Sequence, residues 1–356
     1  MRSLGRFRPA TARPQRRTLQ WLALLVGVGI LVVASPFVAA WPAPGPTIPD
    51  RMIYVTNQLD NTLSVIDGSN YKVVATVPVG ASPAGVAVSP DGRYAYIAEG
   101  GDNAVSVLDT GTRTIATTVA LPAGSSPRGV ALSPEGDFLY VADGGSNRVS
   151  VVDTATLRVV ASVPVGSQPV SVALTPDGRS AYVANAGSGD VSVIDNQTNR
   201  IIGVVTTGQF PAGVALTPDG GSAYVANELS ASVTVIDTRS GAVEATIPAG
   251  TSPFDVATSP DGRWVYVADL GPGKLAVIDT RVRKVVSSVS IGGSGTDPFN
   301  VAATGHAIYV TNQGANTLAV IDPRTRHLVT TVTTGNSPYG VAVDPMPRSV
   351  RTDTRS

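Results

Sequence analysis

The sequence contains no cysteine and only two histidines, His306 and His327, among its 356 residues. Without cysteine the chain has no disulfide, no thiolate-ligated zinc or iron–sulfur site, no covalently attached c-type haem, no thiol nucleophile and no lipid-modified cysteine anchor. Two histidines leave little material for a histidine-rich metal site or a histidine-based proton relay. The sequence therefore predicts no metal site and no cofactor.

Charged residues are also few, at 15%, whereas hydrophobic residues make up 43% and the chain holds 37 Gly and 27 Pro. This composition is too apolar for a disordered chain and too rich in Gly and Pro for a helical bundle. The formal net charge of zero hides a segregation of charge: residues 1–49 carry six arginines and no acid, whereas residues 51–346 carry 17 basic and 24 acidic residues. An acidic body repels phosphate backbones, so nucleic acid is not an expected partner.

The N-terminal 40 residues have the order of an export signal. The six arginines precede an uncharged stretch, and residues 21–34 are all apolar or Gly. Small residues at Ala39 and Ala40 offer a cleavage point, which predicts a signal peptide; the alternative is an uncleaved anchor, because residues 18–41 are long enough to span a bilayer. Either way the rest of the chain is expected outside the cytoplasm, secreted, periplasmic or tethered to the cytoplasmic membrane. A Pro-rich linker is predicted over residues 41–50, and a short disordered basic tail over 347–356.

A repeat of 42 to 44 residues fills the chain between these segments. Its most visible part is a tetrad of Tyr, Val or Ile, a small residue and Asn, Asp or Glu, which begins at Tyr54, Tyr96, Tyr140, Tyr182, Tyr224, Tyr266 and Tyr309. Each tetrad is followed by a run that ends in Asp, by a β-branched run, and by a Gly-x-x-Pro-like turn that opens a Val-Ala segment. Each repeat thus supplies four short strands with two-residue alternation.

Four strands in a period of this length predict an all-β fold, a seven-bladed β-propeller of four-stranded blades over residues 51–346. The chain enters the repeat at a second strand, residues 52–56, and leaves it after a lone first strand, residues 340–344. Seven of every strand type are present only if this last strand completes the first blade. The C-terminal strand is therefore expected to pair with the N-terminal blade and close the ring.

The tetrad YVTN at 54–57 and 309–312, together with the Val-Ile-Asp and Ser-Pro-Asp-Gly-Arg segments, resembles the YVTN-type propeller repeats of extracytoplasmic bacterial and archaeal proteins. The resemblance covers about residues 52–346 and implies the fold. It does not imply one function, because related propellers include surface-layer or adhesion modules, binding proteins, the heavy subunits of quinoprotein amine dehydrogenases and lactonase-type propellers that open sugar lactones.

Acidic residues that recur in every repeat are interpreted as structural. The seven that end the third strand are Asp67, Asp109, Asp153, Asp195, Asp237, Asp279 and Asp322. A short carboxylate at the start of a turn accepts backbone N–H groups two or three residues on, and this explains the placement better than a ring of cation-binding carboxylates. The tetrad tyrosines are similarly expected to pack between blades.

Function is expected where the blades differ, on the face that surrounds the central channel. After the proline that opens the first strand, three consecutive blades have an aromatic residue and one has an arginine, and polar residues follow two of those aromatics. The predicted ligand-binding residues are Arg128, Phe254, Asp255, Asp269, Phe299, Asn300 and Tyr339. The alternative is that the three aromatic side chains only fill space between loops.

Three functions remain open from the sequence. The first is an exported or tethered binding module for a protein, a glycan or a small molecule of the cell envelope. The second is a lactonase-like hydrolase at the channel mouth, where Arg128 would polarise a carbonyl and Asp255, Asp269 or Glu99 would act as base. The third is a propeller subunit of a quinoprotein-type redox complex, in which a partner chain holds the cofactor. No catalytic residue is assigned.

Overall fold

A computed structural model describes residues 52–345 of the chain. The predicted export signal and the Pro-rich linker lie outside these residues, as does the basic tail. Regular structure within them consists of 28 β-strands and a single 3₁₀ turn, Glu228–Ser230. Within residues 52–345, no helix is long and apolar enough to cross a membrane.

The strands follow one another in chain order with short turns between them. The first eleven are β1 (Met52–Asn57), β2 (Thr62–Asp67), β3 (Lys72–Pro78), β4 (Pro83–Val88), β5 (Tyr94–Glu99), β6 (Ala104–Asp109), β7 (Thr114–Ala120), β8 (Pro127–Leu132), β9 (Phe138–Asp143), β10 (Arg148–Asp153) and β11 (Arg158–Pro164). The next eight are β12 (Pro169–Leu174), β13 (Ser180–Asn185), β14 (Asp190–Asp195), β15 (Arg200–Thr206), β16 (Pro211–Leu216), β17 (Ser222–Asn227), β18 (Ser232–Asp237) and β19 (Val243–Pro248). The last nine are β20 (Pro253–Thr258), β21 (Trp264–Asp269), β22 (Lys274–Asp279), β23 (Lys284–Ser290), β24 (Pro298–Ala303), β25 (Ile308–Asn312), β26 (Thr317–Asp322), β27 (His327–Thr333) and β28 (Pro338–Val343).

These strands form seven antiparallel sheets of four strands, the blades of a propeller. Blade 1 consists of β28, β1, β2 and β3, and blades 2 to 7 consist of consecutive groups of four from β4 onward. The inner strands, one per blade, are β28, β4, β8, β12, β16, β20 and β24, and each contacts the inner strands of both neighbouring blades. The predicted fold is confirmed.

Ring closure follows the prediction from the chain ends. In β28, Val343 pairs with Ile53 and Val341 with Val55 of β1. Beyond the strand, the backbone N–H of Asp344 donates to the carbonyl of Met52 at 3.0 Å. This pairing joins the two ends of the described chain in one sheet, so β1 has a strand partner on both sides.

The core lies between blades, because each half-buried strand presents one face to the next blade. The tetrad tyrosines are all buried there: Tyr224 of blade 5, for example, packs with Val256 and Val265 of blade 6. The aspartates that end the third strands all accept backbone N–H groups of the following turn, such as that of Ser69 onto Asp67 at 2.8 Å. Both structural interpretations are confirmed.

Candidate functional site at the channel mouth

The inner strands surround a central cavity of about 170 Å³. Its mouth is the end at which the inner strands begin, each with a proline. The loop that enters the inner strand and the loop between the next two strands meet there, as the hydrogen bond from the Gly100 N–H to the Ser82 carbonyl at 3.1 Å illustrates. The residues that follow the prolines therefore stand around one opening, where the sequence differs most between blades.

Three aromatic side chains from consecutive blades contact one another at this mouth. Phe254, Phe299 and Tyr339 belong to blades 6, 7 and 1, and the ring centroids lie 3.9 Å apart for the first pair and 4.5 Å for the second. Phe299 is 8% exposed and Tyr339 7%, and Leu270 packs against the cluster. These three residues with Leu270 and Ala84 are called the aromatic cluster. It fills one side of the mouth, so its members cover apolar surface as well as border the opening.

Arg128 of blade 3 is exposed and reaches toward this cluster from the other side. Its guanidinium interacts with the hydroxyl of Tyr339: burial raises the pKa of Tyr339, and the nearby Arg128 charge partly opposes that rise. The Cδ of Arg128 also lies beside Gly144, 3.5 Å from the place that a Cβ on this glycine would take. Among the described residues, Arg128 forms no salt bridge.

Asp255 lies deeper, on the wall of the channel. Its Oδ2 accepts the backbone N–H of Val301 in blade 7 at 3.0 Å, and its Oδ1 lies against Gly213 of blade 5. Burial raises the pKa of Asp255 from 3.8 to about 7, although the N–H groups of Val301 and Val256 oppose the rise. As a whole residue, Asp255 is half-buried and lines the cavity. A carboxyl group with a pKa near neutrality in a concave site is the kind of group that catalytic and binding sites use.

Asn300 repeats this arrangement one blade further on. Its Oδ1 accepts the N–H of Val341 at 3.2 Å, just as Asp255 serves Val301. Ser171 of blade 4 does the same toward the N–H of Val214, at 3.4 Å. Sequence reasoning did not single out Ser171, although it occupies the same position of its repeat; the exchange of Gly for a polar residue there was the available signal.

The seventh predicted residue, Asp269, does not share this surroundings. It is 3% exposed, and its Oδ1 accepts the N–H groups of Thr251 at 3.0 Å and Ser252 at 2.8 Å. The Glu99 carboxylate has the same role in blade 2, where it accepts the Gly80 N–H at 2.7 Å. Both side chains hold the loop before the inner strand. The structure thus brings six of the predicted residues together, whereas the seventh, Asp269, forms hydrogen bonds with the loop before its inner strand.

Metal and haem ligands are scarce at the mouth. No group of three His, Asp or Glu side chains suited to a metal ion occurs among residues 52–345. His306 lies in the turn that joins β24 to β25 and His327 begins the outer strand β27, and both are exposed. Neither imidazole lines the channel.

Comparison with known proteins supports the fold broadly. No curated protein matches the chain. Hydrazine synthase of Kuenenia stuttgartiensis has 24% sequence identity and a TM-score of 0.68, with 77% of this chain and 91% of that chain covered. A functionally unknown protein from Desulfotomaculum acetoxidans DSM 771 has 15% identity and a TM-score of 0.70, with 83% and 99% covered. Dihydro-heme d1 dehydrogenase NirN, solved in complex with DHE, has 19% identity and a TM-score of 0.62, with 83% and 66% covered. At these identities the likeness concerns the fold alone.

Two family models match parts of the sequence. Residues 49–186 match the model described as the cytochrome D1 heme domain. The channel lining does not fit a haem held by an axial imidazole or thioether, because it contains neither; Tyr339 is the lining side chain of a type that can ligate haem iron. Residues 167–345, half of the chain, match the model described as "Lactonase, 7-bladed beta-propeller". The chain therefore belongs to this family of seven-bladed lactonase propellers.

Proposed function

We propose that the chain is an exported or membrane-tethered propeller that binds a small ligand at the channel mouth. The observation that carries this proposal is the convergence of Arg128, Tyr339 and Asp255 from three different blades on one opening. Its export and its YVTN-type relationship stay predictions from the sequence.

The mouth is asymmetric in a way that suits a ligand. On the side of blades 6, 7 and 1, Leu270 and the aromatic rings fill the space. On the side of blade 3, the residue that corresponds to Leu270 is Gly144, and the exposed Arg128 stands above it. A ligand that enters there would contact a guanidinium on one side and an apolar wall on the other, the combination that small-molecule sites commonly offer.

A redox setting is supported more than a general binding role. The partial match to a cytochrome D1 heme domain, and the names of hydrazine synthase and NirN among the similar structures, both point in this direction. Because the channel lining offers no imidazole or thioether for a haem iron, the redox cofactor in this proposal belongs to a partner chain. This chain would then supply the propeller and its mouth.

Lactone hydrolysis is the second candidate, and two observations favour it. The chain belongs to a lactonase propeller family, and Asp255 has a pKa near the pH at which a general base works best. Of the three carboxylates considered as base, Asp269 and Glu99 bind loop N–H groups and do not line the channel, whereas Asp255 does, so Asp255 is the remaining choice. Arg128 would polarise the ester carbonyl.

A thermal-shift screen of the full-length protein tests these proposals. Sugar lactones, small carboxylates, glycans and peptides are compared on the wild type and on Arg128→Gln, with Arg158→Gln as the matched control, because Arg158 is an exposed arginine on the outer strand of the same blade. A ligand that stabilises the wild type and the control but not Arg128→Gln supports the mouth site. Stabilisation that all three proteins share, for every ligand class, contradicts it.

Further assays distinguish lactone hydrolysis from a role in a redox complex. Turnover of a stabilising lactone that Asp255→Asn abolishes supports hydrolysis, and binding without turnover contradicts it. Recovery from envelope extracts of a partner with haem or quinone absorbance, lost on mutation of the mouth, supports the redox setting. A mouth-dependent partner without a redox group contradicts that setting and leaves the binding site in place.

A further inference from the structure

The inner strands line the channel with residues near their start. In each strand the fourth residue is a valine, and three of these N–H groups meet a side chain from the preceding blade. As described above, the Val214 N–H donates to Ser171, the Val301 N–H to Asp255 and the Val341 N–H to Asn300. Because the inner strand is the free edge of each sheet, its N–H groups on this side have no strand partner.

In blades 2, 3 and 4 the equivalent valines are Val86, Val130 and Val172, and all three line the channel. In the preceding blade, the position that could supply a side-chain acceptor to each of these N–H groups holds a glycine: Gly340, Gly85 and Gly129 respectively. A Cβ at Gly85 would lie only 3.1 Å from the nitrogen of Val130, so the glycine stands directly at this N–H group. No described side chain accepts a hydrogen bond from these three nitrogens. The remaining valine, Val256, donates to Asp255.

The three N–H groups without a side-chain acceptor therefore come from consecutive blades, none of which carries an aromatic ring of the cluster. Arg128 belongs to the middle one of these blades and stands at the mouth above them. Unpaired N–H groups in a channel are costly unless something accepts their hydrogen bonds. Convergent backbone N–H groups together with a positive charge form the usual recognition element for an oxyanion.

We propose that blades 2, 3 and 4 form a site for a small carboxylate, held by the N–H groups of Val86, Val130 and Val172 and by the guanidinium of Arg128. This inference rests on the proposed mouth site and names its ligand class. A carboxylate suits the donors because its two oxygens accept several N–H bonds and pair with a guanidinium in a bidentate geometry. The cavity of about 170 Å³ has room for a group of acetate size or somewhat larger inside the channel.

Isothermal titration of the full-length protein with sodium acetate, at constant ionic strength, tests the site. Acetamide is the neutral probe of the same shape. Gly129→Ser would place a hydroxyl near the Val172 N–H, as Ser171 does for Val214, but its Cβ would also lie 2.7 Å from the Val170 carbonyl oxygen, so the backbone there must shift to accept it. We expect Gly129→Ser and Arg128→Gln each to weaken acetate binding about tenfold or more. Ser171→Gly removes a side-chain acceptor and frees one more N–H group, so its affinity should equal or exceed that of the wild type.

The outcomes separate this inference from the proposed function. Acetate binding without acetamide binding, with the three variants in the expected order, supports the carboxylate site. Equal affinity for acetate and acetamide, or for acetate and sulfate, overturns it, even if Arg128→Gln still weakens the neutral ligand and so preserves the mouth site. Failure of every ligand to distinguish the wild type from Arg128→Gln overturns both. If Gly129→Ser does not fold, Arg128→Gln and Ser171→Gly decide the outcome, with Arg158→Gln as control.

Discussion

Asp255→Asn tests the electrostatics of the channel most directly. The structure supplies its own precedent, because blade 7 has Asn300 at the equivalent position, and the Asn300 Oδ1 accepts the next blade's N–H at 3.2 Å. An asparagine at 255 can therefore keep the bond to Val301 while it removes the titration. The comparison isolates the cost of ionising a carboxyl group that is largely withdrawn from water.

The sign and size of the effect follow from the pKa. Burial raises the pKa of Asp255 from 3.8 to about 7, so the folded protein favours the protonated form. The stability that this provides is present below about pH 4 and is lost as the pH rises through 7. A rise of this size corresponds to at most roughly 4 kcal/mol, and because water in the channel screens the charge, we expect about 2–4 kcal/mol.

Thermal and urea unfolding of the two proteins between pH 4.5 and pH 8 measure this quantity. Relative to the wild type, Asp255→Asn should gain about 2–4 kcal/mol between these limits, or roughly 4–8 °C in Tm. Asp143, whose pKa burial raises to about 6, titrates in both proteins and cancels. Asp261→Asn, in the same blade, is the control, because the Ser259 hydroxyl lowers the pKa of Asp261 below 3.8, so its difference from the wild type should stay constant across this pH range. A wild-type to Asp255→Asn difference that stays constant with pH refutes the reasoning.

Further predictions concern closure, packing and loop anchoring. Truncation after Ser337 removes β28, so the melting temperature should fall sharply in a thermal scan; an unchanged curve contradicts ring closure. Phe299→Ala should lower the free energy of unfolding in urea by about 3–5 kcal/mol, whereas Val329→Ala, at an exposed position of β27, should change it by less than about 0.5 kcal/mol. Similar losses in both contradict the packing described. Asp269→Ala should cost about 2–4 kcal/mol in the same assay without changing acetate affinity, and an affinity change would place Asp269 in the site.

The fold was predictable because every repeat contains the same strand pattern. The two-residue alternation of the strands, the turn residues and the repeat length of 42 to 44 residues all favour a propeller. Because the array begins at a second strand and ends after a first strand, it also indicates how the ring closes. The register of β28 against β1 confirms that argument residue by residue. The aspartate turns were equally accessible, because the relevant bonds span only two or three residues and need no knowledge of distant parts.

The mouth was only partly predictable because the inner strands are irregular at the decisive positions. Each has a bulge just after its proline, as the register shift between Pro253 and Asp255 shows for blade 6. A bulge breaks the two-residue alternation, so the sequence does not say which side the next side chains face. Position in the repeat located Asp255 and Asn300, but their bonds to the following blade required the structure. The orientation of Asp269 toward its loop was not predictable either, because its hydrogen-bond donors, the N–H groups of Thr251 and Ser252, lie 18 and 17 residues away in the chain.

The bulge also explains how a symmetric repeat produces one asymmetric site. At the third residue of the inner strand, the backbone of the next blade is so close that a Cβ at Gly129 would lie 2.7 Å from the Val170 carbonyl oxygen. Glycine is the residue that relieves this crowding, but it offers no side-chain acceptor to the N–H group of the next blade. In three of the blades this position holds Ser, Asp or Asn, and the side chain accepts a hydrogen bond from the valine N–H group of the next blade. The choice between glycine and a short polar residue, made separately in each blade, therefore determines which part of the channel wall can donate hydrogen bonds to a ligand.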